Sequence, residues 1–176
     1  HDTATVDDAA RHCAAALFGD ERGAIEQAGA FVLLYANAPV RPAGLIDEAV
    51  GLLLRTGCDS VQSYASVGKH HPWWTAVVGD EGAVRPWEGD VLNHGVFRRQ
   101  DLPPAHIPDG GVLVVSARAL FLAIDGVPPG PHAFFGKDRR GVLTREGDVV
   151  DIDGPVDLLV ADAILRQRGE RSRATA

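Results

Sequence analysis

Between residues 5 and 17 apolar side chains recur at Val6, Ala9, Ala10, Cys13, Ala14 and Leu17, the spacing of one face of a helix. Residues 31–35 form a short unbroken apolar run, the pattern of a strand covered on both faces, as in a parallel sheet. Pro39 and Pro42 stop that run from continuing. A second helix is predicted over 45–56: Asp47 and Glu48 suit its positive end, and Ile46, Ala49, Val50, Leu53 and Leu54 make an apolar stripe. Gly57 can supply the left-handed stop. Residues 60–66 read as a further strand. Strand, helix and strand at these lengths predict a βαβ crossover, hence a parallel sheet flanked by helices.

The middle of the chain changes character. Segments 75–78 and 83–85 flank a glycine-containing turn and predict a hairpin. Residues 86–108 are polar and proline-broken, and loops of that length in compact domains are usually functional or disordered. A buried strand returns at 110–115, followed by a short helix over 117–122. Segments 142–144 and 148–152 flank another turn, and 155–168 is a final helix with Pro155 at its first position. The pattern as a whole predicts one α/β domain over 1–176. Its sheet is expected to be mainly parallel, built from 31–35, 60–66, 110–115 and 148–152, with a small β insertion.

Composition narrows the function. With 45% hydrophobic and 23% charged residues the chain has ordinary globular usage, and no apolar run approaches the roughly 18 residues that would span a bilayer, so no membrane partner is expected. A net charge of −7 argues against a broad nucleic-acid footprint but leaves room for a small anionic ligand held by a local patch. The two cysteines, Cys13 and Cys58, stand beside apolar residues and are expected to be buried thiols of a reducing, cytoplasmic compartment. The chain opens on His1, contains no methionine and shows no signal segment, which suggests that a segment ahead of it is missing.

Two constellations carry candidate chemistry. Asp151 and Asp153, in the run Val150-Asp151-Ile152-Asp153-Gly154-Pro155, alternate as on a strand, so both carboxylates would face one side at a strand's carboxyl end. Such a pair suits Mg²⁺, which takes one or two carboxylates and completes its shell with phosphate oxygens. Alternatively Asp153 caps the helix that follows, and Asp157 complements its dipole. Arg98 and Arg99, on a proline-stiffened loop with Gln100, could clamp a carboxylate or phosphate in forked geometry, or be a solvated charge pair. Adjacent His70 and His71 invite a zinc reading, but neither cysteine stands at ligand spacing from them.

The order of several short motifs is more specific than any one of them. Arg98-Arg99-Gln100-Asp101-Leu102-Pro103, then Asp109-Gly110-Gly111-Val112, resembles the RRQDLP segment and following glycine-containing strand of acylneuraminate cytidylyltransferases. Asp151-Ile152-Asp153, with Asp157 four residues on, is similar to that family's C-terminal metal motif. Ser60-Val61-Gln62-Ser63 resembles its SVVS strand, His71-Pro72-Trp73-Trp74 its HP-aromatic segment, and Asp2 to Asp7 the start of its helix ahead of TSPLR. Where the family reads LQPTSPLR, this chain has Leu34-Tyr35-Ala36-Asn37-Ala38-Pro39-Val40-Arg41, which removes two hydroxyl side chains. The family's glycine-rich phosphate loop is absent.

The resemblance implies a three-layer α/β/α, Rossmann-like nucleotidyltransferase that couples a nonulosonic, sialic-type sugar acid to CMP from CTP, releasing pyrophosphate. It implies Mg²⁺ on Asp151 and Asp153, nucleotide contacts from Asn37, Ala38, Pro39, Arg41, Asp109 and Gly110, and sugar-acid contacts from Arg98, Arg99 and Gln100. Residues of about 70–108 would form the sugar-binding and dimerisation insertion, with Trp73, Trp74 and Trp87 at a homodimer contact. Related readings are a cytidylyltransferase for a keto-deoxy-octulosonate or a phosphonate. A further one is a non-catalytic relative that has lost the phosphate loop and serves in binding or oligomerisation.

Overall fold

The computed structural model describes residues 5–174, with side chains to residue 169. Asp2, Thr3 and Ala4 of the family-like opening lie outside the described residues. The chain divides into two units, His1–Tyr64 with Pro108–Ala176, and Ala65–Ile107.

The first unit opens with helix α1 (Val6–Phe18), whose Thr5 cap accepts from the Asp8 amide at 3.3 Å. Helix α2 (Glu21–Gln27) is capped by Asp20, which accepts from Gly23 N at 2.6 Å; at seven residues it is too short to show a periodic signal. Strand β1 (Ala30–Leu33) leads into α3 (Leu45–Thr56), set between left-handed Gly44 and Gly57 (φ 82° and 64°), and on to β2 (Ser60–Ser66). The second unit follows, with strands β3 (Ala76–Val78) and β4 (Val84–Pro86) paired antiparallel as the predicted hairpin. The chain returns on β5 (His106–Ser116), then α4 (Ala117–Leu120), β6 (Arg139–Leu143) and α5 (Pro155–Ala174).

The main sheet has the order β1-β5-β2-β6. β2 and β6 pair parallel, with Ser60 opposite Arg139. β5 pairs antiparallel with β1, Ala30 standing opposite Ser116. It also runs against β2: the Ser116 amide donates to Asp59 O at 2.8 Å, while the Val112 amide donates to Ser63 Oγ at 2.9 Å. The fold is therefore mixed α/β, with β1, β2 and β6 in one direction and β5 reversed, rather than the mainly parallel sheet expected. The reason lies in the connection. A parallel return needs a crossover helix, and only short 3₁₀ turns and the hairpin lie between β2 and β5. Segment 148–152 is likewise not a strand; it contributes one bridge, Val150 to Val40, and the last strand falls at 139–143 instead.

Alternation along β5 divides the core. Leu113 and Val115 join Ala14 of α1, Ala24 of α2 and Leu120 of α4, whereas Val112 and Val114 join Leu45, Ala49 and Leu53 of α3 with Val61 and Val142. Two expectations change here. Cys58 is buried but Cys13 is exposed, because α1 turns Ala14 inward. Leu54, placed in the apolar stripe of α3, is 64% exposed while Leu53 is 4% exposed. Leu53→Ala should accordingly lower unfolding free energy by about 2–5 kcal/mol in urea titrations, and Leu54→Ala should change it by less than about 0.5 kcal/mol. No helix among the described residues is long and apolar enough to cross a membrane.

Candidate functional site

In the first unit the segment after β1 is stitched to the acidic motif. Ala38 and Val40 are fully buried, and the Ile152 amide donates to Asn37 O at 2.8 Å. Arg41 turns inward: Nε donates to Gly111 O at 2.6 Å and Nη2 to Tyr35 O at 2.8 Å. Arg168 of α5 closes the other side, donating to Arg41 O at 2.7 Å. Of the predicted nucleotide contacts on this segment, Asn37 and Pro39 are exposed, Ala38 has no exposed side chain, and Arg41 spends its guanidinium on shaping the backbone.

The entry to β5 is built around Asp109. Its carboxylate accepts from Ser63 Oγ and from Gly111 N (3.0 Å) on one oxygen and from Thr144 Oγ1 on the other. This cross-links β5, β2 and the residue just past β6. Gly110 takes φ 74°, and a Cβ built there would lie 3.4 Å from Asp151 Oδ2, so the Asp151 carboxylate lies beside this turn. Burial, and after it the charges of Asp153 and Asp157, push the Asp151 carboxyl above its ordinary value of 3.8. Burial, and then the Asp151 charge, push the Tyr35 phenol up as well.

Asp153 follows in a bend, with its side chain exposed. It is not the cap of α5. Asp157 does that work, its Oδ2 accepting from Asp153 N at 3.1 Å and Gly154 N at 2.8 Å. Among the described residues neither Asp151 nor Asp153 has a basic partner, and no group of three or more His, Cys, Asp or Glu is arranged to hold a metal. What the unit offers is a carboxylate pair under mutual repulsion. That donor set fits a hard divalent cation whose remaining ligands are phosphate oxygens and water.

An aromatic cleft of about 480 Å³ lies in the same unit, lined by Thr5, Tyr35, Gln62, Pro108, His132 and Phe135 among others. His132 stacks on Phe135 at 5.3 Å, and the Arg139 guanidinium sits 5.3 Å from the same ring. Sequence reasoning missed it; the available signal was the aromatic pair Phe134-Phe135 ahead of Gly136, in a segment assigned to no element.

The second unit holds the arginine motif. Arg99–Asp101 form a 3₁₀ turn with Arg98 at its N-cap, and Arg98, Arg99 and Gln100 are all exposed. Ser66, His71, Arg99, Leu102 and Pro103 are among the residues lining a small hollow of about 120 Å³. His71 is buried: its Nδ1 accepts from Trp73 N at 3.2 Å, which leaves Nε2–H to donate to Pro103 O at 3.1 Å. Trp73 stacks on His94 at 4.6 Å, and Trp74 Nε1 donates to Val96 O at 3.1 Å. Trp73 and Trp74 thus take part in the unit's own packing while staying half-buried. Trp87 and Phe97 are left 68% and 88% exposed.

No family model matches the chain. It is 34% identical over 84 residues to the N-acylneuraminate cytidylyltransferase of Streptococcus agalactiae serotype V, a match covering 48% of this chain and 19% of that relative. The serotype III and Ia enzymes of the same name are 33% identical over 84 residues. The likeness is at family level, and it covers under a fifth of the relatives' own length.

Proposed function

We propose that this chain belongs to the catalytic part of a cytidylyltransferase that joins a sialic-type sugar acid to CMP, within a three-layer nucleotidyltransferase fold. The observation that carries the reading is the uncompensated Asp151–Asp153 carboxylate pair, in a chain that resembles N-acylneuraminate cytidylyltransferases. The two-sided packing of β5 supports the layered architecture.

In the reaction, the sugar's anomeric hydroxyl oxygen forms a bond to the α-phosphorus of CTP. The bond from that phosphorus to the bridging oxygen breaks, pyrophosphate leaves, and the hydroxyl proton passes to solvent. Such transfers depend on positioning and charge neutralisation rather than covalent work by the protein. Asp151 and Asp153 would hold Mg²⁺, which when bound supplies positive charge to the phosphates. Asn37 and Pro39 present the exposed surface of the segment after β1 to the nucleotide, and Arg41 holds that segment in place. Arg98 and Arg99 would supply forked donors, and Gln100 an amide donor, for the acid's carboxylate. The chain is read as one subunit of a homodimer.

The test is pyrophosphate release by the full-length protein with CTP, Mg²⁺ and a panel of acids. Turnover with a nonulosonic acid is expected. Preference for a keto-deoxy-octulosonate or a phosphonate would redirect the substrate, and no turnover with any acid would reject the enzyme reading. Arg99→Lys keeps the charge but loses the fork. It should raise KM for the sugar acid by about tenfold, roughly 1.4 kcal/mol, with KM for CTP little changed.

A further inference from the structure

Two facts about the start of β5 belong together. Asp109 is tied on both carboxylate oxygens, to Ser63 of β2, to Thr144 past β6 and to the Gly111 amide, and Ser63 Oγ in turn accepts from Val112 N at 2.9 Å. Next to it is left-handed Gly110, where an added Cβ would stand 3.4 Å from Asp151 Oδ2, so the turn lies beside the Asp151 carboxylate with about a methyl group's room between them. The neighbouring backbone has little room to move. A Cβ on Gly111 would meet Val149 Cγ2 at 2.8 Å, Ser63 Oγ at 2.9 Å and Leu45 Cδ2 at 3.0 Å, while Gly111 O is held by Arg41.

We infer that Asp109 is a positioning residue: by locking the Gly110–Gly111 turn to β2 and Thr144, it fixes the turn beside Asp151 and so bounds the space in which that carboxylate presents its oxygens to a divalent cation. Both Asp109 oxygens are engaged within the fold, so it acts through the turn rather than on the nucleotide. The inference rests on the metal reading of Asp151 and Asp153 and adds a supporting residue to it. Groups that orient metal ligands from behind typically change metal affinity by about 10–100-fold when removed.

Asparagine can keep most of the lock. Its Oδ1 would accept from Ser63 and Gly111, and its Nδ2 would donate to Thr144 Oγ1, whose own proton can turn to Tyr64 O at 3.3 Å. Alanine cannot. The experiment is a Mn²⁺ titration of the full-length protein, followed by electron paramagnetic resonance, alongside thermal melts. Asp109→Ala should weaken Mn²⁺ binding by at least about tenfold. Asp109→Asn should restore most of the affinity, and Thr144→Val, which removes one donor, should shift it less in the same direction. Asp151→Asn is the reference. If it binds Mn²⁺ like wild type, the metal reading fails and takes this inference with it. If Asp151→Asn loses Mn²⁺ while Asp109→Ala and Thr144→Val retain it, only the positioning role falls, even if both variants melt early. Asp109→Asn binding as poorly as Asp109→Ala would also overturn the role. Should Asp109→Ala not fold, Thr144→Val decides.

Discussion

Asp151→Asn and Asp153→Asn, each in the full-length protein, are expected to lower kcat with CTP and Mg²⁺ by at least about 100-fold, a barrier increase of roughly 2.7 kcal/mol. Neither should lower the thermal midpoint of the metal-free protein. An amide is a poor ligand for a hard cation but retains the size of the carboxylate. Asp153's carboxylate has no described partner to lose, and neutralising either group relieves the repulsion that, after burial, holds the Asp151 carboxyl above its ordinary value. The sign on stability follows from that shift. A carboxyl that binds its proton more tightly in the folded chain than in the unfolded one lowers stability as pH rises from 3.8 through its folded value, and the penalty stays in force above it. A bound cation offsets the penalty, so added Mg²⁺ should raise the melting temperature of wild type near neutral pH but not of either variant. Asp157→Ala is the counterpart. It removes the acceptor for two backbone amides and should lower unfolding free energy by about 1 kcal/mol. Turnover within about twofold of wild type for both asparagine variants would remove the metal from these residues.

What the sequence made legible was whatever depends on local periodicity and local caps. Helix α3 falls at Leu45–Thr56 with Gly57 as its left-handed stop, β2 at Ser60–Ser66, and the hairpin where glycines separate two short runs, because each is specified by its own side chains. Strand direction was not legible. The apolar run of β5 is equally compatible with parallel and antiparallel neighbours, and its reversal depends on the absence of a crossover helix some forty residues upstream. Segment 148–152 shows the converse. Its alternation looks like a strand, but its amides go to the loop at Asn37 and Val40, a choice made by residues over a hundred positions away. The acidic motif itself was legible as a pair, while its capping role moved from Asp153 to Asp157, since which carboxylate reaches back is a matter of local backbone geometry. The Asp109 lock had no local signal, and the Phe135 cleft had only the aromatic pair at 134–135, because both are assembled from distant segments.

Gly136→Ala is expected to be among the most damaging small substitutions in the chain, lowering unfolding free energy by about 2–6 kcal/mol in urea titrations. Two separate costs add. Gly136 has φ 70° and ψ −155°, a backbone region essentially restricted to glycine, and occupying it with a side chain costs about 1–3 kcal/mol. The added methyl would also lie 2.6 Å from Cγ and Oδ2 of Asp59 and closer still to its Cβ, an overpacking worth roughly another 1–3 kcal/mol. Asp59 cannot easily swing away, because Oδ2 accepts from Lys137 N at 2.7 Å and Asp138 N at 2.9 Å. Releasing it would leave two backbone donors without that acceptor, at the edge where β6 begins. Gly147→Ala is the control: it also has positive φ (83°), but nothing lies within 4 Å of the new methyl, so only the backbone cost of roughly 1–2 kcal/mol applies. A difference larger than the gap between their backbone costs reports the steric contact with Asp59. Because Ser60 Oγ donates to Phe135 O at 2.8 Å and Arg139 Nε to Gly136 O at 3.0 Å, relaxation of that contact must shift Phe135, and with it the wall of the aromatic cleft. Equal destabilisation by the two alanines would show that Asp59 yields freely and that the turn at Gly136 does not hold the cleft in place.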